Sequence, residues 1–158
     1  MSRQPRQESD RIGIRQCNWK YHGAFIEDLK RISVDAQTWA SLKTMLKRAA
    51  DGTAQDVNWE YPCASSSGIV GELKHDEIGE VRYLDTDSNP VVDQAMIHYR
   101  IYFNEPTLCP EELWAMGGGA KSHHPEYVGT DQQTDIELSR LRASQVDPTG
   151  CDLYNFPV

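Results

Sequence analysis

From Ala24 onward the apolar positions recur with a helical period. Phe25, Leu29 and Ile32 make one stripe. After Ser33-Val34-Asp35, which supplies capping residues, Trp39, Leu42, Met45 and Leu46 make a second. Lys43, Lys47 and Arg48 fall on the polar side of that second stripe, and Asp51-Gly52 ends it. The spacing predicts a helical hairpin of roughly 28 residues, each helix of ordinary length. Residues 53–68 read as a loop that closes on the small run Ala64-Ser65-Ser66-Ser67-Gly68. The period then drops to two. Ile69, Leu73 and His75 alternate with Glu72 and Lys74, and Val81 and Tyr83 with Glu80 and Arg82. The clearest alternation sets Ile97, Tyr99, Ile101 and Phe103 against His98, Arg100, Tyr102 and Asn104. Asn89-Pro90 marks the loop before it. Leu113, Trp114 and Met116 predict a fourth strand, cut short by Gly117-Gly118-Gly119. Thr130-Asp131 caps a last helix whose apolar marks are Ile136, Leu138 and Leu141. Upstream of the hairpin, Ile12 and Ile14 begin a short edge strand.

These elements define an α+β fold: an N-terminal helical hairpin packed on a small, mostly antiparallel sheet, with a C-terminal helix. The face of the sheet away from the hairpin is expected to be open to a partner. Residues 1–11 offer nothing apolar to bury and form a flexible tail, residues 12–145 a single domain, and residues 146–158 a C-terminal tail. Leu153, Tyr154 and Phe156 can dock that last tail on the body, at no position the pattern specifies.

The chain has 158 residues, 25% charged and 39% hydrophobic, ordinary values for one soluble domain with a sizeable core. There is no apolar run long enough for a membrane span. The basic, polar start MSRQPRQESDR does not predict a secretory signal. Cys17, Cys63, Cys109 and Cys151 are widely spaced with no CxxC pair, as in reduced, cytoplasmic thiols. The net charge of −8 is unevenly spread. Residues 1–50 hold ten Lys/Arg against five Asp/Glu, a balance of +5; residues 51–158 hold six against nineteen, a balance of −13. A polyanion is repelled by the second half taken whole, so any contact with nucleic acid must be local or led by the first half.

Strand periodicity nevertheless places cations together. If Val81, Tyr83, Tyr99 and Ile101 face the helices, Arg82 and Arg100 share the other face, and Lys74 joins them if Leu73 points inward. Three such cations suit a scissile phosphate and the charge that builds during in-line attack by a ribose 2′-hydroxyl, and an Arg fork meets two phosphate oxygens at once. Metal-free cleavage also needs a proton acceptor and a proton donor, for which His75, His98, His123 and His124 are the candidates. Lys121 lies close to the last two, after a Gly-rich turn whose amides can approach an anion. Tyr102 is placed to stack on a base. Glu72 and Glu80 share the parity of Lys74 and Arg82, so the same face also reads as a solvated salt-bridge surface. No zinc spacing joins the Cys and His residues, GGGAKS lacks the spacing of a phosphate loop, and there is no G-x-S-x-G elbow. Neither a metal nor a cofactor is expected.

The strings LKRAADG, GELKH, EVRYL, YRIYFNEP and AKSHHPE, taken in this order, resemble the RelE/ParE superfamily of toxin–antitoxin toxins, RelE-like and of the actinobacterial or phage type. The resemblance spans about residues 20–145. It implies a compact toxin that, in the RelE branch, enters the ribosomal A site and cuts mRNA. In the ParE branch the target is gyrase, and an antitoxin wrapped around the toxin silences both. Carried over by position, it favours Lys74, Arg82 and Arg100 as phosphate-side cations, with Lys121 and His123 as contributors near the last helix. Joined to the strand reading, this sets Arg82, Arg100 and His123 as the expected catalytic residues, and Lys74, His98, Tyr102 and Lys121 as the expected RNA-binding ones. The chain departs from RelE-like toxins in being acidic and in ending GTDQQTDIE…DLYNFPV where the family is usually rich in Lys and Arg. Its expected partners are a cognate antitoxin, the ribosome and mRNA, with no membrane. A second function class rests on the charge asymmetry: a non-catalytic interaction module on the same scaffold, phage-borne, binding a host or virion protein or associating head-to-tail with itself.

Overall fold

The computed structural model describes residues 11, 12, 15–51, 59, 60, 78–85, 97–121 and 130–156. Its elements run β1 (Asn18–Tyr21), α1 (Gly23–Arg31), α2 (Ala36–Asp51), β2 (Trp59–Glu60), β3 (Gly79–Asp85), β4 (Ile97–Asn104), β5 (Glu112–Lys121), α3 (Gln132–Gln145) and β6 (Tyr154–Asn155). The class is α+β, with a mixed six-stranded sheet in the order β2-β3-β4-β5-β1-β6. β1 runs parallel to β5, and the other pairings are antiparallel.

The helical hairpin forms where the two stripes place it. His22 caps α1, its Nδ1 accepting from Ala24 N at 3.0 Å. The helix ends at Arg31 with Ile32 as its C-cap, and Ser33 just beyond has a left-handed φ of 58°. Bonds from Ser33 N to Lys30 O (3.1 Å) and Val34 N to Leu29 O (3.2 Å) close that end. Asp35 then opens α2, its Oδ1 accepting from Thr38 N at 2.7 Å. Phe25, Leu29, Ile32, Leu42 and Leu46 are buried against Val81, Ile101, Phe103 and Leu113. Each such side chain contributes roughly 1.5–3 kcal/mol by leaving water.

On the opposite face Tyr102, Trp114 and Met116 pack against Ile136 and Ala143 of α3. The sheet is thus covered on both sides, and the expected open face is corrected: α3 lies across it. The three glycines also differ from expectation. They do not end a strand but lie inside β5, which continues to Lys121. The reason is close approach. A Cβ on Gly119 would meet Asp135 Oδ2 at 2.3 Å, and one on Gly117 would meet Ser139 Oγ at 2.3 Å. Only bare backbone leaves room for α3 to settle with a polar underside. Its buried residues are Asp135, Ile136, Ser139 and Ala143, whereas Leu141, expected inside, is 52% exposed.

β1 was not foreseen, because four residues are too few to reveal a period. Ile12 is buried in a turn rather than a strand. Ile14, the expected strand from Ile69 to His75 and the Asn89-Pro90 loop lie outside the described residues, as does the 53–68 loop apart from β2. Arg11, assigned to the flexible tail, is 4% exposed and donates to Pro106 O (2.6 Å), Glu112 O (2.9 Å) and Cys109 O (3.2 Å). At the other end β6 pairs with β1 and Phe156 is buried. Cys17, Cys109 and Cys151 are free thiols. Among the described residues no helix is long and apolar enough to cross a membrane.

Candidate functional site

Residues paired across neighbouring strands share a face, so register decides which side chains meet. Arg82 of β3 lies directly opposite Arg100 of β4, which lies opposite Gly119 of β5. Glu80, Tyr102 and Gly117 form the next row on that face, and His98 lies opposite Lys121 on the other side of the arginines. Arg82, Arg100, His98 and Tyr102 are therefore brought to the α3 face, as the alternation predicts, and Lys121 joins them because β5 continues through the glycines.

Two arginines directly opposite one another repel unless a counter-ion joins them. Glu80 is that counter-ion. It is fully buried; its Oε2 accepts from Arg82 Nε, and its Oε1 lies 3.3 Å from Arg100 Nε and accepts from Gln132 Nε2 at 2.8 Å. One carboxylate faces two guanidinium groups, so this trio carries a net positive charge. Arg100 faces Glu80 across an ion-pair distance, and its Nε makes no hydrogen bond. A guanidinium is a planar fork that can meet two oxygens of an anion at once. The Arg100 side chain is 13% exposed and that of Arg82 35%. Lys121 is exposed and His98 half-buried.

Tyr102 departs from expectation. It is fully buried beneath α3, so its ring is not offered to a base. Lys74 and His123 lie outside the described residues.

The gap above Gly119 is filled by Asp135 of α3 and by Thr130 just before that helix. Asp135 Oδ2 and Thr130 Oγ1 would lie 2.3 and 2.7 Å from a Cβ there. Burial pushes the Asp135 carboxyl above the usual aspartate range; Thr130 and Arg31 oppose that rise, while Asp28 and Asp131 add to it. Beside this row β5 outruns β1, whose register stops at Ala115. Side chains complete the uncovered edge. Gly118 N donates to Asp28 Oδ2 (3.1 Å), Met116 O accepts from Arg142 (3.0 Å), and Ala120 bonds Thr130 through both its N and its O. Arg142 grips Asp28 with both terminal nitrogens, at 2.6 and 3.2 Å, tying α3 to α1 around the sheet.

Sequence parity had flagged Glu80 as sharing a face with Arg82. Gln132, Asp135, Thr130 and the Asp28–Arg142 pair carried no such signal, since they meet the sheet only once α3 is laid on it. Among the described residues no group of three His, Cys, Asp or Glu side chains is placed to hold a metal ion. No protein-family model, curated protein or solved structure matches this chain.

Proposed function

We propose that this chain is a RelE-like toxin of a type II toxin–antitoxin system, a metal-free mRNA endonuclease that acts at the ribosome in the cytoplasm and is restrained by a cognate antitoxin. The observation that carries this reading is the register pairing of Arg82 with Arg100 on one face of the sheet. The element order, strand then two helices then antiparallel strands then helix, is the order on which the resemblance rests. In the reaction the ribose 2′-oxygen bonds to phosphorus and the bond to the 5′-oxygen breaks. One proton leaves the 2′-hydroxyl and one joins the 5′-oxygen. Arg100 and Arg82 hold the phosphate oxygens as charge builds, Lys121 steers the strand, and His98 and His123 are the proton-transfer candidates.

Induced expression in bacteria is expected to arrest growth and translation, and the double variant Arg82→Ala, Arg100→Ala to relieve the arrest while remaining soluble and folded. Normal growth with abundant folded wild-type protein would remove the proposal.

A second reading has its own support. Glu80 is consumed by the two arginines, α3 covers Tyr102, and residues 51–158 carry −13. These features favour a non-catalytic interaction module. Affinity capture that returns one stoichiometric protein and no ribosomal subunits separates it from the toxin.

A further inference from the structure

Two thiols flank the turn that follows α3. Cys109, half-buried on the β4–β5 loop, places its Sγ 3.6 Å from Thr149 O and 3.9 Å from Pro148 O. Cys151, exposed, lies two residues beyond Thr149. Both sides of this contact are held. On the loop side Arg11 donates to Pro106 O, Cys109 O and Glu112 O, and Glu112 N donates to Cys109 O at 3.0 Å. On the other side Asp147 closes the turn: its Oδ1 accepts from Thr149 N and its O from Gly150 N, each at 2.8 Å. Gly150 has a left-handed φ of 71°, and a Cβ there would meet the Trp114 indole at 2.8 Å. The Cys151 thiol donates to the Asp147 carboxylate, which keeps it in the same turn that Cys109 touches.

Lys20 of β1 connects the two sulfurs electrostatically. Its ammonium pairs with Glu112 at 2.5 Å. The hydrogen bond to Glu112 is the main reason it titrates above the usual lysine range, burial opposes the rise, and charge on Cys109 and on Cys151 adds to it. One cation is therefore close to both thiols. The two are unequal in reactivity. Burial first, then the hydrogen bond to the Glu112 carboxylate, pushes the Cys109 thiol up to about 11, so it is protonated at neutral pH and does not react first. Cys151 is the accessible one.

We propose that Cys151 and Cys109 form a thiol-oxidation site, in which a small disulfide such as glutathione disulfide modifies Cys151 and Cys109 then resolves the adduct into an internal disulfide. The Cys151 sulfur attacks one sulfur of the oxidant; a new S–S bond forms, the oxidant's own breaks, and one glutathione leaves with the electron pair. Cys109 Sγ, passing its proton to the Glu112 carboxylate, then attacks the Cys151 sulfur and expels the second glutathione. The protein loses two electrons and two protons, and the oxidant is reduced to two thiols. The small thiolate fraction of Cys109 is offset by its position beside the turn, since an intramolecular attack has a high effective concentration. The product ties the β4–β5 loop to the segment that carries β6 and Phe156. Neither cysteine belongs to the Arg82–Arg100 face and the chemistry needs no RNA, so this site and the toxin reading fail independently.

The test treats the reduced full chain with glutathione disulfide in native buffer, blocks free thiols with iodoacetamide, and maps an unreduced digest by mass spectrometry. Peptides carrying Cys109 and Cys151 are expected to be joined, to separate with dithiothreitol, and to exceed the glutathione adduct at least about tenfold. Cys109→Ser is expected to leave glutathione trapped on Cys151, and Cys151→Ser to abolish the link and leave Cys109 unmodified. An unmodified Cys151 in the wild type overturns the proposal. So does an adduct that persists on Cys151 without a link, a link from either cysteine to Cys17 or Cys63, or a disulfide between two chains. If Cys109→Ser does not fold, the wild-type map decides alone.

Discussion

A methyl group added to Gly119 must displace the carboxylate of Asp135 and the hydroxyl of Thr130, the second of which bonds both N and O of Ala120. Added to Gly117, it meets Ser139 Oγ, with Arg142 and Asp28 just beyond at 3.3 Å. Gly118 points to the opposite face, where Leu29 Cδ2 lies at an ordinary 3.5 Å. Three adjacent glycines therefore differ in tolerance. Gly119→Ala and Gly117→Ala are expected to cost about 1–3 kcal/mol, as overpacked sites do, with Gly119 the worse. Gly118→Ala is expected to be neutral or to stabilise by up to about 1 kcal/mol, since alanine loses less freedom in a strand. Urea midpoints of the three variants measure the contrast, and equal losses at all three would refute it. In composition these residues look alike and suggest a turn. Their separate roles follow from which helix stands above each one.

At the scale of elements, α3 is the unusual member. A helix docked by apolar contacts would show a stripe, and the spacing of Ile136, Leu138 and Leu141 suggested one. The observed underside instead sets Asp135 and Ser139 on glycine backbone and Arg142 on Asp28. Asp135 makes this docking dependent on pH. Its carboxyl titrates above the ordinary value, chiefly through burial, so the fold binds its proton more firmly than the unfolded chain does. Stability from this group is fully present below the unfolded pKa of about 4 and is lost as pH rises through the higher folded value. Asp135→Asn, which keeps the shape and removes the charge, is expected to raise the melting temperature at pH 7. The gain should shrink to nothing as pH falls below about 4. A variant no more stable than wild type at pH 7 would contradict the assignment.

Across the whole molecule, both ends of the described chain are sewn into the body. Arg11 fastens the β4–β5 loop, and Phe156 completes an aromatic cluster with Tyr21, Phe25 and Trp39 at centroid distances of 5.5, 5.9 and 5.5 Å. Its backbone N donates to Trp19 O at 3.0 Å. Phe156→Ala is expected to cost about 3 kcal/mol, the usual loss for a buried aromatic side chain, with the urea m-value unchanged. A loss below about 1 kcal/mol would mean that the C-terminal segment is only loosely attached. The same scale governs charge. Glu80 stands between the two arginines that the register sets opposite one another, so like charges share a counter-ion there.

Periodicity alone was enough for the hairpin, for β3 and β4, and for the placement of Arg82 and Arg100 on one face, because those properties depend on neighbours within a few residues and on the pleat of a strand. The four-residue β1, the passage of β5 through three glycines, and the polar seat of α3 were decided by contacts between residues far apart in the chain. Asp28 and Arg142 show why. Neither lies in a pattern, yet 114 positions apart they close the edge of β5 where β1 stops. A sheet edge needs partners for its N–H and C=O groups wherever it is left unpaired, and only the assembled fold determines where that edge falls.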